Sequence, residues 1–445
     1  MAAENIDTRS NLTALSRRSL LRSGAIGVAG AAFATLPFGR GLLAHDVAAS
    51  WPNVAALAKN YVASGKVANL FLTFGWGQED HAHTVGGGTL SFSRSTPVDT
   101  DTLYRIYSMT KPITGMATMM LIDDGVLGLD MPLYEVIPAF RDMMVQVEYD
   151  GAITPDNLEP AIRPITIRQL LTHTSGLGYG IVQSGPIKDA YEKYGLVPGE
   201  VSRLPIPGLS RTKAVDSLEV FAQGLSRLPL VLQPGTKWSY SVGLDLLGRV
   251  IEVASGMSFD RFLAERVFEP CGMDSTYFTV PQSEIGRFTD NYGVLAGSPL
   301  PIDPAGASVY LDEPAFPFGG AGLVSSPRDY DRFQRMLLGY GKLGDRRIMN
   351  ELAVRIATSN ILPRTATVEG TWVAGQGFGA GGRVVNNSFG WGGAAGTLAS
   401  VDYNLGLRTG LFTQYMPSEA YPIRDEFLAA YESDLTALRA SRAAS

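Results

Sequence analysis

At 445 residues the chain exceeds the usual size of one compact core, so two domains, or one domain with a large insertion, are expected. A hydrophobic content of 45% with 18% charged residues describes an ordinary globule, and a formal charge of -6 leaves no basic surface for nucleic acid. The single cysteine, Cys271, excludes an intrachain disulfide and a cysteine-rich zinc or iron-sulfur centre. Small molecules are the expected partners, and no cofactor or metal is called for.

Near the start, Ser16-Arg17-Arg18-Ser19-Leu20-Leu21-Arg22 precedes a weakly apolar run over residues 24–35, the pattern of a twin-arginine export signal. Small residues at 32–34 and at 47–49 offer two alternative cleavage sites. Residues 1–49 are therefore expected to be a leader, and the mature protein to be periplasmic or secreted. The apolar run is too short and glycine-rich to span a membrane, and nothing later qualifies.

From residue 68 the pattern is strand-like: 68–76, 81–85 and, after a break at Gly86-Gly87-Gly88, 89–92. His81 and His83 alternate onto one strand face, but no second cluster completes a metal site, so they read as exposed strand histidines. A further strand-like run, 102–107, then meets Ser108-Met109-Thr110-Lys111-Pro112. Ser108 and Lys111 are three apart, so a helix starting there puts hydroxyl and amine on one face. A serine nucleophile needs a neighbouring base, and a lysine serves when it is neutral. Ile113, Met116, Ala117, Met119, Met120 and Leu121 supply a buried helical face, Pro112 is tolerable in the first turn, and Gly125 is a reasonable stop. The competing reading of Ser108 is a helix N-cap. Spacing alone does not decide, because Ser210-Arg211-Thr212-Lys213 repeats it in a loop after Pro205-Ile206-Pro207-Gly208.

Beyond Gly125, proline-rich connections and helices continue to about residue 272. They include a short helix with a glycine stop over 165–177, where His173 has a structural role at the helix end. Two more cover 245–254 and 258–268, the second capped by Ser258. Strands then return around a helix at 326–338, with consecutive strands over 376–385, 387–391, 396–402 and 405–413. The closing helix carries Ile423, Phe427, Tyr431, Leu435 and Leu438 on one face. Strands at both ends with helices between them imply an α/β (α+β) fold, an antiparallel sheet flanked by helices. Residues 50–125 and 273–445 would form the α/β domain, and 126–272 a mostly helical inserted domain.

A histidine triad finds little support, since no G-x-S-x-G elbow occurs and the four histidines are His45, His81, His83 and His173. There is also no H-E-x-x-H, phosphate-binding loop or dinucleotide fingerprint. A serine-lysine enzyme would need a proton relay, for which Tyr240 after the turn at Pro234-Gly235 is a candidate. It would also need oxyanion donors, and the turn Trp391-Gly392-Gly393-Ala394 could present a backbone N–H beside that of Ser108.

Ser108-Met109-Thr110-Lys111, Tyr240-Ser241-Val242 and Trp391-Gly392-Gly393 resemble, in order and separation, the three active-site elements of the serine β-lactamase and penicillin-binding-protein superfamily, class C-like branch. Residues 165–177 and 319–326 also look like that family, and the resemblance covers most of the chain after Trp51. It implies an acyl-enzyme mechanism: Ser108 attacks, Lys111 is general base, and Tyr240 carries the proton to the leaving group and helps activate the deacylating water. The N–H groups of Ser108 and Ala394 would hold the oxyanion.

Two departures bear on the substrate. Tyr240-Ser241-Val242 stands where lactamases of this branch carry Tyr-x-Asn, and Trp391-Gly392-Gly393 where they carry Lys-Thr-Gly. The first loses an amide that would bind an acylamino side chain. The second replaces an anion-binding lysine by an apolar wall. Both are similar to family VIII carboxylesterases, where Tyr-Ser-x-x-x-Asp, here ending at Asp245, is frequent. The expectation is a carboxylesterase for neutral esters, with Trp391, Gly392, Gly393 and Val242 at the substrate. Alternatives are a peptidase or amidase, or a weak β-lactamase, on the same scaffold. A binding or sensor protein without turnover is opposed by the intact Ser108, Lys111 and Tyr240.

Overall fold

The computed structural model describes residues 50–204 and 213–443. The expected leader, 1–49, and residues 210–212 of the second serine-lysine tetrad lie outside the described residues.

Helix α1 (Pro52–Ala63) leads into strands β1 (Asn69–Trp76), β2 (His83–Ser91) and β3 (Arg94–Pro97). The two-residue period of β1 sorts its side chains. Leu70, Leu72 and Phe74 pack with Val54 and Ala58 of α1, while Phe71 enters the core on the other face. The expected break at the glycine run does not occur: β2 crosses it in register, Gly86 opposite Phe71 and Gly88 opposite Asn69. A Cβ on Gly86 would lie 2.1 Å from the Leu70 carbonyl oxygen, so these glycines serve close strand approach and do not end the strand.

A 3-10 turn, Tyr107–Met109, opens α2 (Thr110–Asp123). Every residue from Thr110 to Leu121 is buried, where the sequence pattern predicts one buried face. The helix runs through the interior and is enclosed all round. Next come α3 (Ile167–Leu171), opened by a capping box between Thr166 and Gln169, and α4 (Gly243–Ser255). The helix expected over 258–268 is Phe259–Leu263 continued as a π turn, Ala264–Phe268, and the Ser258 side chain makes no capping bond. Leu170 and Leu171 of α3 and Leu246 and Val250 of α4 share one hydrophobic core with Phe71.

After α5 (Pro327–Leu338), capped by Ser326, come β4 (Gly377–Phe378), β5 (Arg383–Val385), β6 (Ser388–Gly392), β7 (Leu398–Asp402), β8 (Leu407–Phe412) and α6 (Ile423–Ala443). The single strand expected over 376–385 is instead the hairpin β4-β5, turned where the Gly379 N–H reaches the Gly382 carbonyl. The sheet order is β4-β5-β6-β7-β8-β1-β2-β3, antiparallel throughout. It is completed where β1 meets β8, Phe71 opposite Phe412.

Helices α1 and α6 cover one face of this sheet; α2 and α5 lie in the core on the other. The first pair is tied together by Asp434 of α6, which accepts from the Asn53 and Val54 N–H groups at 3.1 Å. Trp51 also stacks on both Phe74 and Tyr431. Among the described residues no helix is long and apolar enough to cross a membrane.

Candidate active site

The residue before Ser108 is strained. Tyr107 has φ 41, a conformation bulky side chains avoid. Its buried ring is held edge-on to Tyr310, and its hydroxyl accepts from Asn291 Nδ2 at 3.2 Å. Surrounding packing thus fixes the backbone that delivers Ser108.

One helical turn on, Lys111 is wholly buried, with Nζ 3.2 Å from Ser108 Oγ and donating to the Gly320 carbonyl at 2.6 Å. Tyr240, from the loop before α4, donates its hydroxyl to the same Oγ at 2.8 Å. The serine oxygen therefore lies between an amine and a phenol, and residues 132 positions apart in sequence meet there.

Aromatic rings enclose Tyr240: His173 at 4.7 Å between centroids, Trp372 at 5.2 Å, Tyr179 at 5.5 Å and Trp391 at 5.9 Å. Trp391 Nε1 also donates to the Tyr240 hydroxyl at 3.4 Å. His173 is buried behind Tyr240. Burial, helped by the charge of Lys111, pushes its imidazole well below the usual range, so it is neutral. Its Nδ1 accepts the Ser241 N–H at 3.2 Å and lies 3.0 Å from Ser241 Oγ. The helix-end role read from sequence is thus also a grip on the segment carrying Tyr240.

Asp245, in the first turn of α4, is wholly buried. Its Oδ1 accepts the Gly320 N–H at 2.8 Å, while Oδ2 has no hydrogen-bond partner among the described residues. Burial pushes this carboxyl up to about 6 against the opposing pull of the Lys111 charge and the Gly320 N–H. Gly320 is held at its N–H by Asp245 and at its carbonyl by Lys111. Both Asp245 and the Gly319-Gly320 pair stand out in the sequence, but nothing there links them.

The turn after β6 packs against the segment that carries Ser108. Its Gly393 N–H goes to the Thr397 carbonyl at 2.9 Å, whereas the Ser108 and Ala394 N–H groups donate to no backbone carbonyl among the described residues. A Cβ on Gly393 would lie 2.3 Å from the Ile106 carbonyl oxygen, so only glycine lets this turn lie against the segment that carries Ser108. The structure thus brings together Ser108, Lys111, Tyr240 and Trp391, with the turn at Gly393 packed against the residue two before Ser108.

Val242 does not join them, contrary to expectation. It caps α4 on the interior side, is wholly buried, and spends its N–H on the Gly178 carbonyl. The exposed ring beside Tyr240 is instead Trp372, which no sequence motif marks. A hydroxyl between an amine and a phenol has the groups needed to accept an acyl group.

The β-lactamase family profile matches residues 54–432, and the chain belongs to that family. It is therefore an enzyme of the serine hydrolase class built on the β-lactamase and penicillin-binding-protein fold. Protein Rv1367c of Mycobacterium tuberculosis is 32% identical over 364 residues, spanning 78% of this chain and 86% of that one. Esterase EstB of Burkholderia gladioli is 33% identical over 251 residues, 52% of this chain and 56% of its own length. Among solved structures, EstCE1, described as a hydrolase with promiscuous acyltransferase activity, superposes with a TM-score of 0.67 at 22% identity, over 86% of this chain and 99% of that one.

Proposed function

We propose that this protein hydrolyses neutral carboxylic esters through an acyl-enzyme on Ser108. The observation that carries the reading is the convergence of Lys111 Nζ and the Tyr240 hydroxyl on one serine oxygen. Lys111 Nζ, as general base, takes the Ser108 proton as Oγ bonds to the ester carbonyl carbon. The tetrahedral oxyanion sits on the N–H groups of Ser108 and Ala394. Tyr240 delivers its proton to the departing alkoxide and regains one from Lys111, and the alcohol leaves. Water then attacks the acyl carbon, and its proton passes through Tyr240 and Lys111 to Ser108 Oγ as the bond from Oγ to the acyl carbon breaks and the carboxylic acid departs. Trp391 beside Tyr240 supplies an apolar wall, which supports neutral over anionic substrates.

Acyl transfer to an alcohol is the second reading. It differs only in what attacks the acyl-enzyme and is supported by the activity named for EstCE1. Export by the Arg17-Arg18 signal belongs to the same proposal, and replacing both arginines by lysine should leave the chain in the cytosol.

The deciding experiment is hydrolysis of p-nitrophenyl butyrate beside Ser108→Ala, with a chromogenic cephalosporin and a D-alanyl peptide for comparison and added methanol to detect transfer. Ester turnover lost with Ser108 and weak cephalosporin cleavage are expected. A dead ester assay with rapid cephalosporin or peptide turnover would instead favour the lactamase or peptidase branch.

A further inference from the structure

Among the described residues, Arg105 and Arg408 are wholly buried, and the half-buried Arg424 differs from both in what it holds. Arg105 meets Asp303 at 2.6 Å, and Arg408 meets Asp331 at 2.6 Å. Arg424, in the first turn of α6, has no carboxylate within ion-pair distance among the described residues. Its Nη2 donates to the Gly393 carbonyl and, at 3.0 Å, to the Thr397 carbonyl, while its Nε is buried without a partner. Burial pulls this guanidinium below the usual arginine range, with nearby Arg383 acting the same way. A half-buried guanidinium that holds two backbone carbonyls forgoes the carboxylate partner that Arg105 and Arg408 have, so its placement needs a reason.

The peptide it holds provides one. The Gly393 carbonyl and the Ala394 N–H belong to the same planar trans unit and point in opposite directions. Fixing the carbonyl toward α6 therefore aims the N–H away from it. A cation on the carbonyl also withdraws electron density through the amide and makes the N–H a better donor. The two glycines of the third motif fit this arrangement: a Cβ on Gly392 would lie 3.0 Å from Arg424 Cζ, and Gly393 is the residue pressed against Ile106.

We propose that Arg424 is a positioning residue for the oxyanion site, orienting and strengthening the Ala394 N–H through the peptide it shares with Gly393. The proposal rests on the acyl-enzyme reading above. Removing an oxyanion donor outright typically costs about a hundredfold to a thousandfold in kcat, so loosening and weakening one should cost roughly tenfold to a hundredfold.

The test compares the full chain with Arg424→Met and Arg424→Lys. For each, kcat and KM for p-nitrophenyl butyrate, inhibition by butylboronic acid as a tetrahedral mimic, and melting temperature are measured. The expected result for Arg424→Met is a kcat loss in that range, KM within about twofold, and boronate inhibition weakened in parallel. Arg424→Lys, which keeps a cation but loses the fork, should fall between. A folded Arg424→Met with parental kcat and boronate affinity overturns the proposal, as does equal weakening of KM and kcat with boronate affinity intact. Should Arg424→Met fail to fold, parental kcat and boronate affinity in Arg424→Lys overturn it alone. Parental chain that hydrolyses no ester and whose Ser108 resists a fluorophosphonate removes the acyl-enzyme reading, and this proposal with it. Labelled, active parent with an unaffected arginine variant removes only the proposal.

Discussion

Around Ser108 the working atoms belong to side chains, and each is held from the interior: Lys111 by the Gly320 carbonyl, Tyr240 by a shell of rings and by His173 behind Ser241. Around Gly393 and Ala394 they belong to the backbone, at the end of a strand, and the support comes from a helix on the opposite face of the sheet. In the proposed mechanism one half handles protons, which requires particular functional groups. The other would handle charge, which requires only amides in the right place. Side-chain chemistry therefore restricts the residue types in the first half, while close approach restricts side-chain size in the second.

The contrast can be broken hardest at the base. Lys111→Arg should lose roughly ten-thousandfold or more in kcat, because guanidinium cannot give up its proton at working pH. Turnover clearly above a Ser108→Ala background would remove Lys111 from that role. Tyr240→Phe keeps the ring contacts and deletes the hydroxyl 2.8 Å from Ser108, so a loss of about a hundredfold to ten-thousandfold in kcat is expected. Near-parental kcat would mean another group carries the proton.

In the backbone half, Gly393→Ala puts a methyl against the Ile106 carbonyl and should cost about a hundredfold or more in kcat, with secondary structure by circular dichroism retained. Parental activity would show that the turn need not lie where it does.

The smallest effect tests the support of Gly320. The Asp245 carboxyl stands at about 6 in the fold against an ordinary 3.8, so its contribution to stability is full below 3.8 and lost as pH rises through 6. Asp245→Asn, which does not titrate, should gain on the parent between pH 4 and 7, by up to about 3 kcal/mol in denaturant titrations. A constant difference across that range would contradict the buried, ionising carboxyl.

How much was legible follows the same division. The three motifs, the helix after Ser108 and the strand pairs at both ends stand out because residue type and periodicity carry them. Gly86-Gly87-Gly88 misleads because a glycine run signals a break as readily as a close approach, and only the partner strand tells which. Val242 follows the motif pattern into the wrong place, since its burial depends on where α4 starts. Trp372, the grip of Asp245 on Gly320 and the reach of Arg424 to a peptide 31 residues earlier have no local signature. They exist only once distant segments meet.

The clasp between Asn53 and Asp434 spans 381 residues, and the sheet is completed only when β1 finds β8. Closing loops of that length is entropically costly, so these contacts are expected to form late in folding. During synthesis, the segment bearing Ser108 and Lys111 emerges long before Arg424 and the strand it braces. On the proposed mechanism a nascent chain carries Ser108 before the peptide that Arg424 holds, and hydrolytic competence is expected only once α6 has docked.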